Sequence, residues 1–157
     1  MNIAVFPGSF DPITVGHESI IRRSLPLFDK LIIAIGSNAD KKGFFTVDQR
    51  IAWIKEIFKD SPKVEVDVYH GLTVEYCKTV NAQFIVRGLR TAADFEFERG
   101  IGQINKKLHK GIETVFMLTT PEHTMINSGI VRDIIRHGGD TSELVPSCID
   151  VKNGKKF

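Results

Sequence analysis

The sequence predicts an α/β fold: a Rossmann-like, open, five-stranded parallel sheet with helices on both faces, in one domain spanning residues 1–157. Three observations carry that expectation. Strand-like and helix-like segments alternate about five times along the chain, the pattern of consecutive βα units. The run KLIIAIG (30–36) is apolar without polar alternation, as a central parallel strand covered on both faces requires. At 157 residues, with no internal repeat and no long linker, the chain is sized for one core.

The elements follow in order. NIAVF (2–6) forms a buried strand, and Ile20, Ile21, Leu25 and Phe28 then recur at helical spacing, with Pro26 expected to kink or shorten that helix. KLIIAIG is the second strand. After SNADKKGFF, Thr46 and Gln49 read as a capping box for a helix whose stripe is Ile51, Ile54 and Phe58. KVEVDVY (63–69) alternates, and a helix follows around Leu72, Tyr76 and Val80. QFIV (83–86) is the fourth strand, and a long helix after it carries Phe97, Ile101, Ile104 and Leu108. TVFMLT (114–119) is the fifth strand, and the last helix, Ile130 to His137, stops at Gly138-Gly139. From about residue 146 to 157 the chain reads as a C-terminal tail ending in the solvated KNGKKF.

Composition narrows the function classes. A net charge of +2, from 21 Lys and Arg against 19 Asp and Glu, is too small to imply a nucleic-acid or membrane partner. Any anion site therefore rests on local placement of charge. Cys77 and Cys148 make no CxxC pair, which argues against a disulfide framework or zinc knuckle and suits a reducing cytoplasm. No signal peptide is expected, and no apolar run approaches the roughly 18 residues of a membrane helix. The histidines show no HExxH or i,i+4 pair, and GxSxG, GxGxxG and GxxxxGK[ST] are all missing.

Ligands of such sheets bind beyond the carboxyl ends of the strands, near the switch in strand order. Strand one is followed by PGSFDPITVGH, in which Gly8 and Gly16 permit close backbone approach, Ser9 offers a hydroxyl, and His17 stands in the first turn of a helix. A tight turn with a histidine cap is the bland alternative. Strand two is followed by Lys41 and Lys42, strand four by RGLR (87–90) with Asp94 and Glu98 close behind, and strand five by HTMINSG (123–129). Arginine forks suit phosphate, and acidic neighbours can orient them.

With PGSFDPITVGH and VRGLRTAADFEFE both in view, the chain closely resembles the bacterial phosphopantetheine adenylyltransferases, a family of the nucleotidyltransferase superfamily whose (H/T)xGH signature is here Thr14-Val15-Gly16-His17. The resemblance runs from residue 2 to about residue 145. TxGH is shared with relatives that use other acceptors, whereas RGLRxxxDFExE points to the pantetheine enzymes. The resemblance implies transfer of the adenylyl group of ATP to 4'-phosphopantetheine, giving dephospho-coenzyme A and pyrophosphate, by a Mg2+-dependent, cytoplasmic homohexamer. It implies contacts from Ser9 and Phe10 to ATP, from Ser9 also to the pantetheine phosphate, and from His17 to the α-phosphate as transition-state stabiliser, with Lys41 and Arg90 assisting catalysis. Lys41, Thr73 and Arg87 would hold pantetheine. Gly88, Leu89, Arg90 and Glu98 would serve ATP, as would His123, Thr124, Met125, Ile126, Asn127, Ser128 and Gly129. Asn127-Ser128-Gly129 departs from the family's usual Ser-Ser-(Ser/Thr).

The chemistry of such a transfer fits these residues. A phosphate monoester with a second pKa of about 6 is largely ionised at neutral pH and needs no general base. Positioning and charge stabilisation at the α-phosphorus then suffice, with Mg2+ held mainly by the ATP phosphates rather than by side chains. Direct in-line attack without a covalent intermediate is expected. The rival readings are an adenylyltransferase with another acceptor, such as nicotinamide mononucleotide, and an ATP-sensing module without turnover.

Overall fold

The computed structural model of the chain describes residues 1–37 and 42–153. Lys41, one of the expected site residues, lies outside them. The five strands are β1 (Ile3–Gly8), β2 (Lys30–Gly36), β3 (Val64–Tyr69), β4 (Phe84–Leu89) and β5 (Glu113–Leu118). They form one all-parallel sheet in the order β3-β2-β1-β4-β5. The helices are α1 (Val15–Ser24), α2 (Val47–Ile57), α3 (Thr73–Thr79), α4 (Ala92–Leu108) and α5 (Ser128–Arg136). The α/β architecture expected from the alternation is the one observed.

Two cores lie on opposite faces of the sheet. On one, Phe6, Leu31, Ile33 and Val86 of the strands pack against Ile20 and Ile21 of α1, Ile54 of α2 and Val131 of α5. On the other, Val5, Ile32, Ala34 and Ile85 meet Val74, Tyr76 and Cys77 of α3. Alternate residues of β1 and β2 thus feed different cores, which is why KLIIAIG is apolar throughout. The start of the expected tail runs over the first core, where Ile149 and Val151 are buried beside Val145.

Some boundaries differ from the sequence expectation. The first helix ends at Ser24 and becomes a 3-10 turn, Leu25–Leu27, with Pro26 inside it. Thr46 and Gln49 form the capping box of α2. β1 runs on through Pro7 and Gly8, and β4 runs on through Arg87, Gly88 and Leu89, which pair with Phe116, Met117 and Leu118 of β5. RGLR therefore lies mostly in the strand, and only Arg90 follows it. Arg and Gly are weak strand residues, so here the ladder to β5 overrides local preference.

The apolar stripe of α4 does not enter either core. Phe97, Ile104 and Leu108 are 70%, 57% and 51% exposed. The side of α4 toward the sheet presents Gly102 to Thr114 of β5 instead.

β1 and β4, the two strands at which the order reverses, pair only at Ala4 with Phe84 and Val5 with Ile85. Beyond those pairs they part, and the gap between them is the crevice where the site lies. The Pro7 carbonyl faces that gap and accepts from Arg87 Nη1 at 2.8 Å. The N–H that proline lacks would face the same gap, so the central strand loses no ladder bond.

Candidate active site

The loop from β1 to α1 is fixed by side chains from distant parts of the chain. Arg50 Nη1 donates to the Ser9 carbonyl at 2.7 Å, Arg132 Nη1 to the Asp11 carbonyl at 2.9 Å, and Ser128 Oγ to the Pro12 carbonyl at 2.8 Å. The buried Asp11 carboxylate accepts from the amides of Phe44 and Phe45 at 2.7 and 2.8 Å, tying this loop to the segment before α2. Phe10 takes a positive φ of 46°, which turns its ring inward to meet the His17 ring edge-on at 5.2 Å.

Thr14 caps α1: its hydroxyl accepts from the His17 amide at 3.3 Å, and His17 Nδ1 accepts from the Thr14 amide at 3.0 Å. That second bond fixes the tautomer. With Nδ1 an acceptor, the proton of neutral His17 is on Nε2. Burial, reinforced by the charges of Arg87 and Arg90, lowers the His17 pKa to about 4. At neutral pH His17 is an uncharged N–H donor, and its ring lines the cavity above the sheet edge.

Arg87 is held by Glu98 through both carboxylate oxygens, Nη2 to Oε1 at 2.7 Å and Nε to Oε2 at 3.0 Å. Glu98 is only 8% exposed. Arg90 donates from its amide and from Nε to Asp94 Oδ2, at 3.0 and 3.2 Å, while Asp94 itself sits in the first turn of α4.

These groups converge on a cavity of about 280 Å³. Its walls include Ser9, Phe10, His17, Arg87, Gly88, Arg90, Glu98, His123, Ile126, Asn127 and Ser128 from the sequence-predicted set. The N-terminal ends of α1 and α5 contribute Gly16, His17, the N-cap Asn127 and Ser128, so two positive helix ends border the space. A second cavity of about 210 Å³ adjoins it, lined by Thr73, Tyr69, Ile101, Gly102 and Asn105 among others. The two share Pro7, Gly8, Arg87 and Glu98.

Not every expected residue joins them. Leu89 is buried in β4, Met125 is 80% exposed, and Thr124 and Gly129 are not on the walls of either cavity. Lys42 is exposed. Asn127 caps α5 by accepting from the Ile130 amide at 3.0 Å, and with the Ser128 hydroxyl already donating to Pro12, both side chains hold the helix start in place. His123 Nδ1 lies 3.3 Å from the Thr120 hydroxyl, which orients the ring at the cavity wall. Thr119, Ile20 and Asp94 also line the first cavity, and Tyr69 the second. Asp94 carried a signal, being the acidic residue four places after Arg90; the others show none in the linear pattern.

Neither thiol is poised for nucleophilic work. Burial pushes Cys77 up to about 11 and raises Cys148 as well. Among the described residues no three His, Cys, Asp or Glu side chains cluster to hold a metal ion, and no helix is long and apolar enough to cross a membrane.

Comparison with known proteins adds the family. The cytidylyltransferase-like family model matches residues 5–134. The phosphopantetheine adenylyltransferase of Flavobacterium psychrophilum is 57% identical over 152 residues, covering 97% of this chain and 100% of that protein. The enzyme of the same name from Caldanaerobacter subterraneus is 46% identical over 157 residues, covering 100% of this chain and 98% of its own length. Among solved structures, a bifunctional NMN adenylyltransferase/ADP ribose pyrophosphatase from Francisella tularensis superposes with a TM-score of 0.72 over 92% of this chain and 44% of that one. At 17% identity, that likeness speaks to the fold alone.

Proposed function

The chain belongs to the phosphopantetheine adenylyltransferases, within the cytidylyltransferase-like family, and on that premise we propose that it reversibly transfers the adenylyl group of ATP to 4'-phosphopantetheine, yielding dephospho-coenzyme A and pyrophosphate in coenzyme A biosynthesis. One observation carries the reading: two adjoining cavities share Arg87. The first, bordered by helix N-termini, is assigned here to the nucleotide, and the second to the acceptor's arm. The two phosphates then meet at the arginine between them.

An acceptor phosphate oxygen attacks the α-phosphorus in line, the bond from that phosphorus to the β-phosphate oxygen breaks, and pyrophosphate leaves with the electron pair. Nε2–H of His17 donates to a non-bridging oxygen as negative charge builds on the five-coordinate phosphorus. Arg90 and the N-termini of α1 and α5 hold the triphosphate, with Ser9, Phe10, Gly88, His123 and Ile126 around the nucleotide. Arg87, Thr73 and Lys41 hold the acceptor.

Mg2+ belongs with the nucleotide in this reading. Both carboxylates on the first cavity's wall, Asp94 and Glu98, are already engaged by arginines, so the described residues make no protein cage. The ion's preference for phosphate and water ligands suits arrival on ATP. The exposed stripe of Phe97, Ile104 and Leu108 on α4 supports self-association, proposed here as a homohexamer acting in the cytoplasm.

Pyrophosphate release from ATP tests the reaction. 4'-Phosphopantetheine should support it, while dephosphorylated pantetheine and nicotinamide mononucleotide should not. Release with nicotinamide mononucleotide alone would overturn the acceptor assignment.

A further inference from the structure

The second cavity holds a hydroxyl pair of which the proposed acceptor chemistry assigns Thr73 and leaves Tyr69 without a role. Tyr69 closes β3 at the carboxyl edge of the sheet, and Thr73 opens α3 four residues later. Tyr69 Oη lies 2.8 Å from Thr73 Oγ1, and both residues line this cavity. The tyrosine is fixed from two sides. Its ring stacks on the buried Tyr76, with centroids 4.9 Å apart and planes 24° from parallel, and the Tyr76 hydroxyl in turn donates to Asp67 Oδ2 at 2.7 Å. On the β2 side the Tyr69 hydroxyl passes over Gly36, where an added Cβ would lie 3.4 Å from Oη.

A hydroxyl carries one donor and two acceptor sites. Once one hydroxyl donates to the other, the pair still has one O–H and unused lone pairs. Because either oxygen can be the donor in the mutual bond, the remaining O–H can come from Tyr69 or from Thr73. Such a pair can accept from an amide N–H or donate to an amide carbonyl without moving a heavy atom. α4 supplies Ile101, Gly102 and Asn105 to the lining, and the Glu98 carboxylate it also places there is taken up by Arg87. Such a slot suits an uncharged chain with amide groups, and Arg87 stands at its end for a phosphate.

We propose that Tyr69 is a specificity-determining residue for the acceptor: with Thr73 it forms a hydroxyl pair that hydrogen-bonds an amide of the acceptor's uncharged arm. The proposal rests on the acceptor reading above, and it adds a residue that discriminates the arm rather than the phosphate. Tyr69 touches the acceptor far from the reacting phosphorus, so its contribution is to acceptor binding in ground and transition states alike.

The test uses the full-length protein with Tyr69→Phe, which keeps the ring stacked on Tyr76, and Thr73→Val. Dissociation constants for 4'-phosphopantetheine and for ATP are measured separately by calorimetry, alongside kcat, KM and melting temperature. Tyr69→Phe should weaken 4'-phosphopantetheine binding and raise its KM by about 3- to 10-fold, the worth of one hydrogen bond, with kcat, ATP affinity and melting temperature unchanged. The double variant should be little worse than either single one, because the hydroxyls act as a unit. Wild-type acceptor affinity in Tyr69→Phe would overturn the proposal. So would equal losses toward ATP and 4'-phosphopantetheine with a fall in melting temperature, the signature of packing alone. Failure of the wild-type protein to bind or adenylylate 4'-phosphopantetheine would instead overturn the acceptor reading itself, and this inference with it.

Discussion

The Arg87 guanidinium and the Glu98 carboxylate form a two-point pair, at 2.7 and 3.0 Å, on the wall that both cavities share. Glu98 is the more buried partner, so its charge depends on Arg87 more than the reverse. Arg87→Ala should therefore reduce turnover with 4'-phosphopantetheine at least about tenfold and also lower stability by about 1–3 kcal/mol, the cost of stranding a buried acceptor group. Adding Glu98→Ala should recover much of the stability and none of the turnover. Lys42→Ala, on an exposed residue, should change neither. Denaturant unfolding and steady-state kinetics on the four proteins check this, and an unrecovered double variant would refute the pairing argument.

Under the proposed reaction His17 has two roles, helix cap and transition-state donor, that can be separated. His17→Ala should lower kcat on the order of 10²–10³ by removing one donor to the transition state, with the ATP dissociation constant nearly retained. It should also cost about 1 kcal/mol of stability through loss of the capping box. Glutamine at this helix position can accept from the Thr14 amide as His17 does. His17→Gln should thus restore the melting temperature without restoring kcat. A near-normal kcat in a folded His17→Ala protein would leave His17 as a helix cap only.

The lowered pKa of His17 sets a pH dependence. In the unfolded chain this side chain takes up a proton near pH 6.5, and in the folded protein only near 4. Between those values the unfolded state binds more protons, so stability is full above pH 6.5, falls as pH drops, and stops falling below about 4. By pH 5 the loss from this group is about 2 kcal/mol. Unfolding at pH 7.5 and pH 5 should show that extra loss in the wild type and not in His17→Gln. An acid limb in kcat that moves with His17 near pH 6.5 would contradict the neutral-donor role.

No adenylyl-enzyme should form. Both thiols are raised in pKa, Cys77 to about 11, and His17 Nδ1 is occupied by a backbone amide. Intact-mass measurement after incubation with ATP alone should show only the unmodified chain, and an added AMP would refute direct transfer.

The sequence displayed what is local. The capping box at Thr46, the apolar run of β2 and the helix stop at Gly138 are written within a few residues of where they act. The contiguous motifs around His17 and Arg87 were legible for the same reason. The scaffolding of the site was not. Arg50 reaches Ser9 across 41 residues, and Arg132 reaches Asp11 across 121, so nothing near either arginine reveals its target. The α4 stripe was visible as periodicity, yet period alone does not say whether a face meets the core or remains outside it.

The short pairing of β1 with β4 makes the crevice a wedge. Its apex is at Val5 and Ile85, the last paired residues, and the side chain of Arg87 spans it to the Pro7 carbonyl. Past that crossbar the walls are Gly8 and Gly88 on the two strands. A wedge measures what enters it, because the width of a group decides how deep it goes. Side-chain bulk at the two glycines would move the stopping point outward, and at Gly8 a Cβ would already lie 3.0 Å from the Phe10 ring. Backbone divergence between β1 and β4, together with the Arg87 crossbar, therefore sets how far a group can enter the crevice.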